Sequence, residues 1–196
     1  MPRARKIAEE DAVAAAMRLF WTVGYAGAGT RMIEERTGIT RFTLQTGFGG
    51  KKALFLAALD LYASQTETLL FGPLEDGTLD DLVAWLRAPP VPPDLVTCTA
   101  SGCLMVNSAT EFGETDEDVS ERTQRFFAMI EGTFEELLYR ARSRGHLRTD
   151  VKMAEAASLL LATTLAGHVA RAAGADGTAG AGIRAAAANL VESWRA

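Results

Sequence analysis

The spacing of apolar residues divides the chain into helices. Between Ala4 and Val23, Val13, Ala16, Met17 and Phe20 recur at i, i+3, i+4 and i+7, with Ala12 and Leu19 widening the stripe, which predicts an amphipathic helix. It should stop at Gly24, and Tyr25 to Gly29 (YAGAG) reads as a turn in which Tyr25 packs back on the core. A short helix follows, with the Thr30 hydroxyl expected to cap it, Met32 and Ile33 inward, Glu34, Glu35 and Arg36 outward, and Gly38 at its end. Thr40 offers a second cap. The next helix turns Leu44 and Phe48 inward, leaves Arg41, Thr43, Gln45 and Thr46 on other faces, and is broken by Gly47, Gly49 and Gly50. Two short helices joined through a three-to-four-residue turn containing glycine form the helix-turn-helix signature.

Longer helices occupy the rest. Lys51 to Phe71 carries Leu54, Phe55, Ala58, Leu61 and Tyr62 on one side, and Leu79 to Leu86 resumes after a turn at Asp76 to Thr78. Ala88 to Pro93 holds four prolines in five positions and predicts an extended surface loop. Gly102 to Phe112 is helical, and Thr115 to Asp118 resembles a capping box that launches a helix running to Arg144. Val151 to Ala173 is the most apolar helix and should be covered on every side. A Gly/Ala turn at Gly174 to Gly182 leads to a last helix, Ile183 to Trp194. The expected fold is all-α with about nine helices: a three-helix helix-turn-helix domain at residues 1–50, and a larger helical ligand-binding and dimerisation domain at 51–196.

Composition narrows the class. With 48% apolar and 23% charged residues, the chain fits an ordinary globular protein rather than a disordered one. No apolar run reaches the roughly 18 uncharged residues of a membrane span. The N-terminus lacks the apolar stretch of a secretory signal, so a cytoplasmic protein with reduced cysteines and no membrane partner is expected. Net charge is −5, yet residues 1–60 hold nine Lys or Arg against six Asp or Glu, +3, which leaves −8 for the remainder. A basic head on an acidic body points the head alone at a polyanion. Its outward side chains suit base edges in double-stranded DNA: Arg grips guanine, Gln pairs with adenine, and Thr donates, accepts or touches a thymine methyl.

The runs AMRLFWTVGY, IEERTGI and LQTGFGGKKALFLAALD resemble the N-terminal domain of TetR-type transcriptional regulators over about residues 10–62. The resemblance implies that Thr30 and Arg31 meet phosphates, that Arg41, Phe42 and Thr43 enter the major groove, and that Lys51 holds a phosphate. Gln45 and Thr46 complete the candidate DNA-binding set. Two departures stand out: Gln45 replaces the family's usual Tyr after Leu44, and Ala28-Gly29 replaces the usual Thr-Ser. The resemblance further implies a homodimer built through the last two helices as a four-helix bundle. Two recognition helices ~34–36 Å apart then read a palindromic operator, and a repressor released from it by a small apolar effector is expected.

The effector would be met by aromatic, Met and His side chains in the body: Trp85, Met105, Phe112, Phe126, Met129 and His168 are candidates, although residues at such spacing also serve as plain core. His168, in an apolar helix, needs a partner, either a backbone carbonyl or the ligand. Cys103, in GCLMVN, is either a small core residue or a redox sensor; Cys98 is expected to be exposed and incidental. The spacing of the two cysteines and the lack of clustered His give no metal site, and no cofactor is implied. No GK[ST] loop, GxSxG elbow or HExxH pair signals catalysis. The alternatives are an electrophile sensor acting through Cys103 and, more remotely, a helical enzyme with a vestigial DNA-binding head.

Overall fold

In the computed structural model, residues 9–89, 102–174 and 178–196 are described. Nine helices run through them. The head holds α1 (Glu9–Gly27), α2 (Thr30–Thr37) and α3 (Arg41–Thr46). Helix α4 starts at Lys51–Thr66, widens into a π-helical turn at Glu67–Phe71 and ends with Gly72–Glu75. The body continues with α5 (Leu79–Arg87), α6 (Leu104–Phe112), α7 (Glu117–Ser143), α8 (Met153–Ala172) and α9 (Thr178–Ser193). The expected helix start at Ala4, the loop beyond Pro89 and Cys98 lie outside the described residues.

Local chemistry sets most boundaries. Gly24 kinks α1 at φ 73°, ψ 173°, a left-handed value that side chains rarely adopt, and the chain makes one further turn to Gly27. Gly38 closes α2 at φ 71°, its N–H donating to the Glu34 carbonyl. Between α2 and α3, Thr37 donates its hydroxyl to the Ile33 carbonyl (2.7 Å) and accepts from the Ile39 N–H (3.1 Å). Thr40 caps α3 as expected, accepting from the Thr43 N–H at 3.1 Å.

Several expectations need correction. Gly29, in extended conformation, occupies the cap position of α2 with no side-chain bond, so Thr30 is already helical and its hydroxyl caps nothing. At α7 the cap is Asp116, which accepts from the Val119 N–H, while the Thr115 hydroxyl donates to the Phe112 carbonyl. The last helix begins at Thr178, earlier than Ile183, and brings Gly180 near the Gly167 carbonyl of α8. Helix α8 is not covered on every side: Leu159, Ala162, Ala166 and Val169 form an exposed stripe, with Leu159 44% and Val169 54% exposed. By length and composition α8 is also apolar enough to cross a membrane, despite lacking one long uncharged run.

The junction of head and body is a packed aromatic cluster. Phe20 and Tyr25 of α1, Phe55 of α4 and Phe112 of α6 lie with ring centroids 5.0–6.2 Å apart, a range in which offset and edge-to-face pairs are favourable. Leu54, Phe55, Ala58 and Leu59 are fully buried there, so the start of α4 serves the head's core as much as the body's. Lys52 pairs with Asp116 and lies over the Phe112 ring. Further along, Arg122 grips Asp60 with two hydrogen bonds (2.9 and 3.2 Å), which fixes α7 against α4. Because Phe55 is 1% exposed and touches three other rings, Phe55→Ala should cost ~3–5 kcal/mol in a urea unfolding titration. A loss under about 1 kcal/mol would show that the junction is not a packed unit.

Candidate functional site: nucleic-acid interface and ligand cavity

Only Leu44 of α3 is buried; Arg41, Phe42, Thr43, Gln45 and Thr46 are exposed. Phe42 stands out at 76% exposure, because an aromatic ring held in water on a well-ordered helix is a contact surface waiting for a partner. The hydroxyls are partly committed: Thr43 Oγ shares a hydrogen bond with Thr40 Oγ (3.0 Å), and Thr46 donates to the Phe42 carbonyl (2.9 Å). Arg41 and Gln45 therefore carry the face's most available side-chain donors, and the Gln45 amide lies beside the Gly50 backbone. On α2, Arg31 pairs with Glu35 at 2.8 Å, but at 91% and 58% side-chain exposure such a pair is screened and readily exchanged for a phosphate. Thr30 is exposed next to it. The Lys51 ammonium rests 4.3 Å from the centre of the Tyr25 ring, and partial burial lowers its pKa while Glu111 opposes the shift.

Two links tie this head to the body. Both oxygens of Glu111, on α6, accept backbone N–H groups just past the Gly24 kink: Tyr25 to Oε2 at 2.9 Å and Ala26 to Oε1 at 2.6 Å. The Trp21 indole of α1 donates to the Gly102 carbonyl at 3.2 Å, a buried bond that spans 81 residues of sequence.

Trp21 also walls a cavity of about 70 Å³ in the body. Its apolar lining includes Tyr62, Leu70, Phe71, Trp85, Leu86, Phe126 and Ile130, and its polar lining includes Gln65, His168, Arg171 and Arg184. The π-helical turn of α4 shapes one side, since the Leu70 carbonyl there accepts the Trp85 indole at 2.7 Å. Of the six candidates from the sequence, Trp85, Phe126 and His168 line this cavity. Met105 and Met129 lie instead in a shallower groove that Phe126 shares, lined also by Asp60, Arg122 and Arg125. Phe112 belongs to the junction cluster. Trp21, Tyr62, Gln65, Arg171 and Arg184 were not anticipated. The one available sign was the pair of arginines placed within otherwise alanine-rich helices.

Cys103 borders the cavity too, but it is 2% exposed and accepts a hydrogen bond from the Tyr62 hydroxyl (3.3 Å). Burial pushes its thiol above the ordinary range, which keeps it protonated and poorly nucleophilic. His168 is pushed the other way, down to about 4, by burial first and then by the charges of Arg171 and Arg184.

An exposed two-helix reading unit carried on a larger helical body with its own cavity defines a helix-turn-helix regulator. The description "Bacterial regulatory proteins, tetR family" matches residues 12–58, and "Tetracyclin repressor-like, C-terminal domain" matches residues 94–187. The HTH-type transcriptional repressor ComR of Escherichia coli K12 is 30% identical over 152 residues, covering 72% of this chain and 69% of ComR. The chain belongs to the TetR family of transcriptional regulators. Among solved structures, a TetR regulator from Chloroflexus aurantiacus superposes with TM-score 0.79 at 24% identity over 95% of this chain and 94% of that one. A cysteine mutant of the regulator CifR, bound to 26-bp operator DNA, superposes with TM-score 0.80 at 23% identity over 98% and 99%.

The depressed His168 pKa has a stability consequence. The unfolded chain takes up a proton near pH 6.5 and the folded one only near 4, so stability is complete above about pH 6.5 and declines as pH falls through that window. The decline attributable to His168 should not exceed ~3 kcal/mol, and urea midpoints measured from pH 7 to 4 should show it in the parent but not in His168→Gln. Identical pH profiles for the two proteins would refute a buried neutral imidazole.

Proposed function

We propose that this chain is a homodimeric, cytoplasmic repressor that binds a palindromic operator and releases it when a small molecule enters the cavity of its body. The observation that carries the reading is the placement of Trp21: one helix of the DNA-binding head is itself a wall of the cavity. The division into a head at 1–50 and a body at 51–196 is functional in this reading, with α4 shared between them. The name of the ComR relative as a repressor, and the operator complex of CifR, support the direction of control and the DNA partner.

On DNA, Arg41, Phe42, Thr43 and Gln45 meet base edges, while Thr30, Arg31, Thr46 and Lys51 meet the backbone. The exposed stripes of α8 (Leu159, Ala162, Ala166, Val169) and α9 (Ala181, Ala185, Ala186) are apolar, mostly alanine and on helices that pack together, which suits closure by the same stripes of a second copy. The cavity, at about 70 Å³, is far below the ~300 Å³ of an ordinary ligand pocket, so an occupant must push its walls apart. The walls that move are Tyr62 to Phe71 of α4 and Trp21 of α1, and their displacement alters the separation of the two reading helices. A ligand preferring the displaced state by ~3 kcal/mol reduces operator occupancy more than a hundredfold. Cys103, buried and protonated, acts here as a wall residue; an electrophile-sensing role has no support from its surroundings.

Fluorescence anisotropy with the flanking intergenic DNA tests the reading face. Arg41→Ala and Thr43→Ala should each weaken specific binding by ~1–3 kcal/mol while leaving the helical circular dichroism spectrum unchanged. Specific binding at parental strength in both variants contradicts the assignment. For the dimer, Leu159→Arg should convert the sedimenting species to monomer and abolish tight operator binding; a stable dimer in that variant means that another face pairs.

A further inference from the structure

The polar end of the cavity is unbalanced in a specific way. Gln65 Oε1, His168 Nδ1 and Arg184 Nε are all buried without a hydrogen-bond partner, and all three residues line the same space. Buried polar groups in folded proteins are nearly always satisfied, so three orphans around one void mark a place where an absent molecule makes the bonds. Charge points the same way. Arg171 and Arg184 both face the cavity, and among the described residues no Asp or Glu lines it. Burial first, and the neighbouring guanidiniums second, lower the pKa values of His168 and Arg184. Two guanidiniums lining one cavity with no counter-ion among the described residues are stabilised by an anion brought in from outside.

Deepening the effector reading, on which it rests, we infer that the ligand is a small organic carboxylate whose apolar tail lies among Trp21, Tyr62, Phe71, Trp85 and Phe126 and whose head is held by Arg184 and Arg171. A planar guanidinium meets a carboxylate through two parallel N–H donors, and the Arg184 Nε–H is one such donor already desolvated and unused. His168, neutral, donates from one ring nitrogen or accepts from the other without adding charge, and the Gln65 amide closes the remaining side. The aromatic walls exclude water from the pair and so strengthen it.

The quench of Trp21 and Trp85 fluorescence on binding provides the readout, with benzoate and octanoate as probes against benzamide and octanol, which keep the tails and lose the charge. In the intact dimer the acids should bind about 10- to 100-fold more tightly than their neutral counterparts. Arg184→Met and, separately, Arg171→Met should each collapse that acid-to-neutral ratio toward one, and Arg184→Lys should restore part of it; thermal melts establish that the variants are folded. Equal or tighter binding of benzamide and octanol overturns the inference, as does an undiminished ratio in both Met variants or no binding by any probe. Operator anisotropy in the same titrations separates the two levels. Neutral probes that bind and release DNA leave the effector reading standing without an anion. Acids that bind selectively yet leave DNA occupancy unchanged uphold the ligand chemistry and remove its regulatory role.

Discussion

Among the contacts that join head and body, one carboxylate bridges the break in α1. Glu111 accepts from two consecutive backbone N–H groups at the only place where α1 breaks, and charge-assisted bonds of this kind are about twice as strong as neutral ones. The arrangement needs Gly24. Its left-handed φ turns the Tyr25 and Ala26 amides outward, and a side chain there would meet Glu111 Oε2 at 3.1 Å. Beside these solvent-exposed bonds the rings of Phe20, Tyr25, Phe55 and Phe112 pack together, so tilting the head disturbs either the charge-assisted contact or the aromatic packing.

Helix α4 is the second constraint. It begins in the core of the head and ends as a wall of the cavity, and its π-helical turn lets one continuous element serve both. Within that turn the Leu70 carbonyl accepts the Trp85 indole. A helix of strict α period would carry Leu70 and Phe71 round to different directions.

Much of the fold was legible because its signals are local. The 3.6-residue period around Val13 and Phe20, the Gly38 stop and the Thr40 cap each act within one or two turns of helix, and the head followed from them. Errors arose where a boundary is decided by tertiary contact. Thr30 lost its capping role to the backbone of Gly29, and Gly180, which reads as a turn residue, lies inside a helix that packs on α8. The candidate site divided similarly. The exposed face of α3 could be deduced from Leu44, since one buried position on a six-residue helix fixes what faces out. The cavity could not, because Trp21, Tyr62 and Arg184 come from three helices far apart in sequence and no period along any one of them records their meeting. Phe112, Met105 and Met129 carry the same apolar pattern as true wall residues yet face the junction or an outer groove.

The economy of α3 has an evolutionary consequence. Its hold on the protein is a single buried side chain, Leu44, together with a Thr40 cap and backbone bonds at Gly47 and Gly50, none of which touches a partner. The exposed residues of α3 contribute nothing to the core, and surface changes of that sort shift stability by ~0.5 kcal/mol or less. Mutational drift can therefore change Arg41, Phe42, Thr43 and Gln45 almost free of any folding constraint, and paralogues arising from one ancestor can diverge on this exposed face while the rest of the molecule stays as it is.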